Sequence, residues 1–121
     1  MDLFDPSIIA LEKAMSGAEL RQTVLSNNIA NANTPGFQPS DVNFQSVLAQ
    51  AIGQGDSASQ LEQVTFSPTP DATGATQVNG NADDINAQMA DLSENSLYYQ
   101  AAESITGQQM EILKTAIGST A

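Results

Sequence analysis

Two apolar ribbons sit at opposite ends of this chain, each spaced for a helix, with a segment between them that has little to bury. In the first, Ile8, Leu11, Met15, Ala18, Gln22, Leu25, Ile29 and Ala32 follow one another in alternating steps of three and four. That spacing makes a helix-packing seam with one polar interruption at Gln22. In the second, Ile85, Met89, Leu92, Tyr99, Met110, Leu113 and Ile117 fall on or near one stripe, which Leu97, Ala101, Ile105 and Ile112 widen midway. No proline occurs from Asp83 to the end of the chain, so the spacing predicts a single helix from Asp83 to about Ile117, roughly 50 Å long. The nearest partner for each ribbon is the other. The expected fold is therefore mainly α: long N- and C-terminal helices packed as an antiparallel coiled coil. Between them the sequence predicts a turn, a short helix and a loop or small β-hairpin.

Local chemistry sets the limits of these elements. Asp5 and Pro6 read as an N-cap and first helical position, because Asp accepts orphan amides and Pro lacks an N–H that would go unpaired there. Gly17 is a weak point, costing about 1 kcal/mol against Ala in a helix interior. The first helix has to end near Asn31 to Asn33, since Pro35 disfavours the α conformation at Thr34 and Gly36 can take positive φ. "TPGF" fits a type II turn. Ser40 or Asp41 then caps a short helix carrying Val42, Val47, Leu48, Ala51 and Ile52, closed by Gly53. From Gly53 to Ala82 the residues are loop-like, with "QVTF" at 63–66 and "TQVN" at 76–79 alternating as a small hairpin would. Asp83 and Asp84 complement the positive end of the last helix, Lys114 its negative end, and Gly118 offers a stop. The expected division is thus 1–33, an N-terminal core helix; 34–82, a turn, short helix and outer loop or hairpin; and 83–121, a C-terminal core helix.

Composition narrows the function. Leu, Ile, Val and Phe make up 26 of the 121 residues, a thin supply for one self-sufficient core. Three basic residues against 14 acidic ones leave a net charge of −11. That charge repels nucleic acid and anionic lipid, opposes compaction of an isolated monomer and favours a chain that orders on a partner. Cys and His are both absent, which removes thiolate chemistry, Cys/His zinc sites and imidazole general bases together. No cofactor is expected. No apolar run approaches the roughly 20 residues of a membrane span, and "MDLFDPS" has neither the basic nor the apolar region of a cleavable signal. "NGNADD" at 79–84 alternates oxygen ligands like a calcium loop, but Asp84 stands where Gly is needed and Ala90 where a bidentate Glu belongs. Asp91 and Glu94, one turn apart, read as an exposed acidic face rather than a catalytic pair. Tyr98 and Tyr99 read as one core ring beside one boundary ring.

The most distinctive stretch is "NNIANANTPGF", 27–37, with four asparagines in its first seven positions. Asn31 and Asn33 are explained by helix termination through local backbone bonding. Asn27 and Asn28 lie a turn earlier, beside Leu25 and Ile29, where an amide suits a crowded contact that needs donors and acceptors together. A polar side chain there also rejects wrong registers.

This stretch resembles the signature of axial proteins of the bacterial flagellum, an amphipathic helix followed by N-N-I-A-N-x-x-T-x-G-F/Y. The match is continuous over Asn27, Asn28, Ile29, Ala30, Asn31, Thr34, Pro35, Gly36 and Phe37. Proline after Thr34 and the following "DVNF", 41–44, are most similar to the proximal subunits of the flagellar basal body rod protein family. "MADLSENSLYYQAA", 89–102, resembles that family's second segment, with Asn95 and Tyr99 in place. "AMSGAELR", 14–21, resembles the sister proximal rod protein C, and "VNGNADDINAQ" departs from the family's usual Asp-Gly-Asn-Asn-type run. The resemblance covers over half the chain. It implies no catalysis but a structural subunit of the proximal rod in the bacterial flagellum basal body, polymerising through its terminal helices to transmit torque. It implies contacts with copies of itself, other rod proteins, the MS ring and the basal-body adaptor protein E, and export through the flagellar type III apparatus to a rod crossing the periplasm. Residues 27–31 and 34–37 form the expected assembly motif. Ile8, Leu11, Met15, Leu25, Met89, Leu92, Asn95, Tyr99, Ile105 and Leu113 are the expected helix-packing set. The rival from another class is a soluble acidic helical adaptor or secretion chaperone using the same stripes on one partner.

Overall fold

The computed structural model describes residues 6–70 and 82–118. In chain order it contains α1 (Pro6–Ala30), β1 (Ser40–Asp41), α2 (Phe44–Gly53), α3 (Ala58–Glu62), β2 (Thr69–Pro70) and α4 (Ala82–Gly118). The proposed cap at Asp5, the "TQVN" partner strand and most of the "VNGNADD" run lie outside the described residues, as do the side chains of Asp83 and Asp84.

The mainly helical fold with paired terminal helices is the one expected. At 25 and 37 residues, α1 and α4 are about 37 and 55 Å long. They run antiparallel. Asn28 bonds to Gln88, Gln22 to Ser96, and Thr106 to Met15, so positions rise along one helix as they fall along the other. A polar layer interrupts the seam where Gln22 stood out in the sequence. Asn95 Nδ2 donates to the Ala18 carbonyl at 2.7 Å and to Gln22 Oε1 at 2.9 Å. Gln22 Nε2 in turn donates to Ser96 Oγ at 3.2 Å.

The N-terminal ribbon is covered on two sides, which one seam could not show. Ile8, Ile9, Ala14, Ala18 and Leu25 are buried, and not all of them face α4. Ile9 and Ala14 form a cluster with Leu48 and Ala51 of α2 and Leu61 of α3. Ala18 joins Val42 and Phe44 in a second cluster. Leu11 and Met15, expected on the seam, are half-buried. The middle segment therefore folds back onto α1 and supplies core that a reading of the two ends alone leaves out.

Several boundaries differ from expectation. The short helix begins at Phe44 after Asn43, not at Ser40 or Asp41. Those two residues are extended and pair antiparallel with Thr69 and Pro70, Ser40 opposite Pro70 and Asp41 opposite Thr69. The Asp41 carboxylate is already committed, accepting from the Val42 amide at 2.7 Å and from Arg21. Residues 58–62, expected as loop, form α3 behind a reciprocal capping box: Ser57 Oγ accepts from the Gln60 amide and Gln60 Oε1 from the Ser57 amide. Both orphan donors are thereby satisfied, so a short helix survives among polar residues. Val64 and Phe66 are not in a strand. Their alternation holds as burial, both half-buried against the two clusters while Thr65 and Ser67 face solvent.

Candidate assembly interface

The asparagine stretch divides into a latch and a helix end. Asn28 is 4% exposed. Its Nδ2 donates to the Ser40 carbonyl at 2.7 Å and to Gln88 Oε1 at 3.0 Å, and its Oδ1 accepts from the Ser40 amide at 3.1 Å. One amide thus pairs with both main-chain groups of Ser40 as a neighbouring strand would, while reaching α4. Only a side chain carrying a donor and an acceptor on one planar group can do this. Asn31 behaves otherwise. Its Nδ2 donates to the carbonyl and Oδ1 of Asn27, at 2.9 and 3.1 Å, and its Oδ1 accepts from Thr34 Oγ1 at 3.3 Å. That is local closure of a helix end.

Beyond it lies the expected turn. The Phe37 amide donates to the Thr34 carbonyl at 3.2 Å, and Gly36 has φ of +77°, the type II geometry with Pro35 at the second position. Thr34, Pro35 and Gly36 are exposed and Phe37 is half-buried. Of the remaining motif residues, Asn27 and Ala30 are exposed and Ile29 is half-buried.

The turn leads into a junction that the sequence hid. The Phe44 ring, 1% exposed, lies on Gly17 of α1. A Cβ at Gly17 would stand 2.6 Å from Phe44 Cβ and Cγ. The glycine read as a weakness in the helix is therefore the recess that admits Phe44. Tyr98 and Phe66 close the other sides of the ring edge-on, with centroids at 5.4 and 6.0 Å, the geometry favoured by aromatic quadrupoles. Tyr98 and Tyr99 are both half-buried and both pack on the Ala18/Val42/Phe44 cluster. Beside them Arg21 grips Asp41 in a two-point ion pair at 2.8 and 3.2 Å. The hydrogen bond to Asp41 and the nearby carboxylates of Asp41, Asp91 and Glu94 raise the Arg21 pKa against the opposing effect of burial. Lys13 Nζ donates to the Val64 carbonyl at 3.0 Å. Gly17, Arg21 and Phe44 were missing from the expected site. "DVNF" was the signal for two partners in it, Asp41 and Phe44, whereas nothing local marks Gly17.

The C-terminal half of the expected packing set is unevenly used. Asn95 is 1% exposed, and its Oδ1 finds no donor among the described residues. It stands at the wall of a cleft of about 320 Å³ between α1 and α4, flanked by Gln22, Ser96 and Tyr99. Leu92, Tyr99 and Leu113 are half-buried. Met89 and Ile105 are exposed, as are Leu97, Met110, Ile112 and Ile117. The pairing with α1 leaves Met89, Leu97, Ile105, Met110 and Ile112 uncovered. No group of three or more His, Cys, Asp or Glu side chains suited to a metal ion occurs among the described residues, and no helix among them is long and apolar enough to cross a membrane.

Comparison with known proteins meets this geometry at its centre. Residues 10–38, from the second turn of α1 through Asn28 and the turn at Thr34 to Phe37, match the family model described as "Flagella basal body rod protein". Flagellar basal body rod protein FlgB of Bacillus subtilis is 35% identical over 125 residues, spanning 97% of each chain. FlgB of Yersinia enterocolitica is 30% identical over 92% of this chain and 93% of its own. FlgB of Escherichia coli is 27% identical over 98% of both.

Proposed function

Because this chain belongs to the flagellar basal body rod protein family, with FlgB proteins as its relatives along nearly its whole length, we propose that it is a structural subunit of the proximal rod that polymerises through its terminal helices. The observation that carries this reading is the apolar surface on α4 that α1 does not cover, including Met89, Leu97, Ile105 and Ile112. A solitary chain gains nothing from holding such side chains in water, whereas a tube of packed helices buries them. Torque then passes through many parallel helix contacts, none individually strong.

In this proposal α1 and α4, within 1–33 and 83–121, line the rod core, and 34–82 faces outward from it. The turn at Thr34 to Phe37 redirects the chain out of the core, and the exposed Asn27, Ala30, Thr34, Pro35 and Gly36 meet neighbouring subunits. Partners are further copies of the chain, other rod proteins, the MS ring and the basal-body adaptor protein E. Delivery is through the flagellar type III export apparatus.

The test is complementation of a strain lacking the chain, followed by isolation of basal bodies. Asn28→Leu removes all three latch bonds while keeping an apolar volume of similar size. The protein is expected to be made and to remain helical while rods fail to assemble; normal motility would count heavily against the role given to this amide.

A further inference from the structure

One line of uncovered residues on α4 has a composition that selects its partner. Leu97, Ala101, Ile105, Gln108 and Ile112 succeed one another in steps of three and four, so they form a continuous ridge along one side of the helix. All five are exposed, Leu97 at 68%, Ile105 at 45% and Ile112 at 56%. The side of α4 turned to α1 is a different one, carrying the buried Asn95 and Ala102. A ridge with this period fits the groove of another helix better than a flat surface.

The charges that α4 itself sets beside it are of one sign, with Arg21 of α1 lying near Asp91 and Glu94 but paired with Asp41. Glu94 lies in line with the ridge one step before Leu97, and Asp91 and Glu111 lie along its edges. Lys114, two residues past Ile112, falls roughly 200° around the helix and away from the ridge. A second copy of the chain would bring another net charge of −11. Of its three basic residues, Lys13 is bonded to the Val64 carbonyl and Arg21 is paired with Asp41. Helices that meet along an apolar seam choose partners through the charges flanking it, and like charges there reject one another.

We propose that the Leu97–Ile112 ridge docks an amphipathic helix of a different chain, one with an apolar seam flanked by Lys and Arg, in preference to a second copy of this chain. Contacts between identical copies would then use other surfaces. The inference rests on the rod reading only in taking that different chain to be a neighbouring subunit.

The test uses the full chain and two synthetic amphipathic helices with the same leucine seam, one flanked by Lys and the other by Glu, titrated by fluorescence anisotropy. At low salt the Lys-flanked helix is expected to bind at least about tenfold more tightly, with the preference shrinking toward parity near 0.5 M salt as screening sets in. The combined Leu97→Ser, Ile105→Ser and Ile112→Ser variant is expected to weaken that binding by about tenfold or more. Should it lose helicity, Leu97→Ser alone is expected to move the affinity in the same direction. Equal affinity for the two helices, or Lys-helix binding indifferent to the serine substitutions, overturns the proposal. So does a stable dimer of the chain that those substitutions dissolve. These failures leave membership of the rod untouched, whereas absence of the chain from isolated basal bodies would sink the rod reading and spare the chemistry of the ridge.

Discussion

The two terminal helices are made of similar residues but are covered differently. α1 is enclosed by α4 along one side and by α2, α3 and the β1 connector along another, so most of its large apolar side chains are buried or half-buried. α4 meets α1 along one side, and its apolar ridge from Leu97 to Ile112 faces solvent. The difference comes from the middle segment. Phe44, Leu48, Ala51 and Leu61 pack mainly on α1 and reach α4 at Tyr98, and within the described residues nothing equivalent lies over the Leu97–Ile112 ridge. In this molecule one helix is covered by its own chain and the other keeps an apolar ridge in solvent.

The sharpest way to break this contrast is at the junction that holds the middle segment to α1. Phe44→Ala removes a ring packed on Gly17, Phe66 and Tyr98, and is expected to cost about 3–5 kcal/mol, a large share of the stability of so small a domain. Urea unfolding followed by circular dichroism would measure it. A loss under 1 kcal/mol would mean that α1 does not depend on this cover.

Gly17→Ala probes the same contact from the other side, and its sign is informative. At an open helical position Ala would add about 1 kcal/mol of stability. Here the new Cβ would stand 2.6 Å from Phe44, and overpacking of this kind costs about 1–3 kcal/mol. A fall in the unfolding midpoint is therefore expected. A rise would show that Phe44 sits elsewhere.

The smallest effect is expected on the uncovered helix. Ile112→Ser exchanges a side chain 56% exposed and is expected to shift stability by no more than about 0.5 kcal/mol, while reducing rod assembly in a complementation assay. A loss of stability comparable to Phe44→Ala would place Ile112 in the subunit's own core and erase the contrast.

Much of this arrangement is legible in the sequence where the signal is local. Steps of three and four gave both long helices, and Gln22 marked the polar layer because an amide in an apolar seam needs partners. Pro35 and Gly36 specified the turn, since only certain backbone angles suit them. The capping box at Ser57 and Gln60 was equally local, and was obscured by the Gly- and Ser-rich residues around it. What sequence could not give is contact between distant residues. Gly17 differs from an ordinary weak helix position only because Phe44 returns to it 27 residues later. Asn28 differs from Asn31 only because Ser40 comes back within reach of it. The pairing of Ser40 and Asp41 with Thr69 and Pro70 is too short to leave an alternating pattern.

Amide hydrogen exchange, compared between the purified chain and assembled basal bodies, tests the central contrast most directly. In the isolated chain, α1 from Ile8 to Asn28 should exchange slowest and α4 beyond Thr106 markedly faster, with that end of α4 gaining protection on assembly. Equal protection of both helices in the isolated chain, unchanged in the rod, would contradict the account.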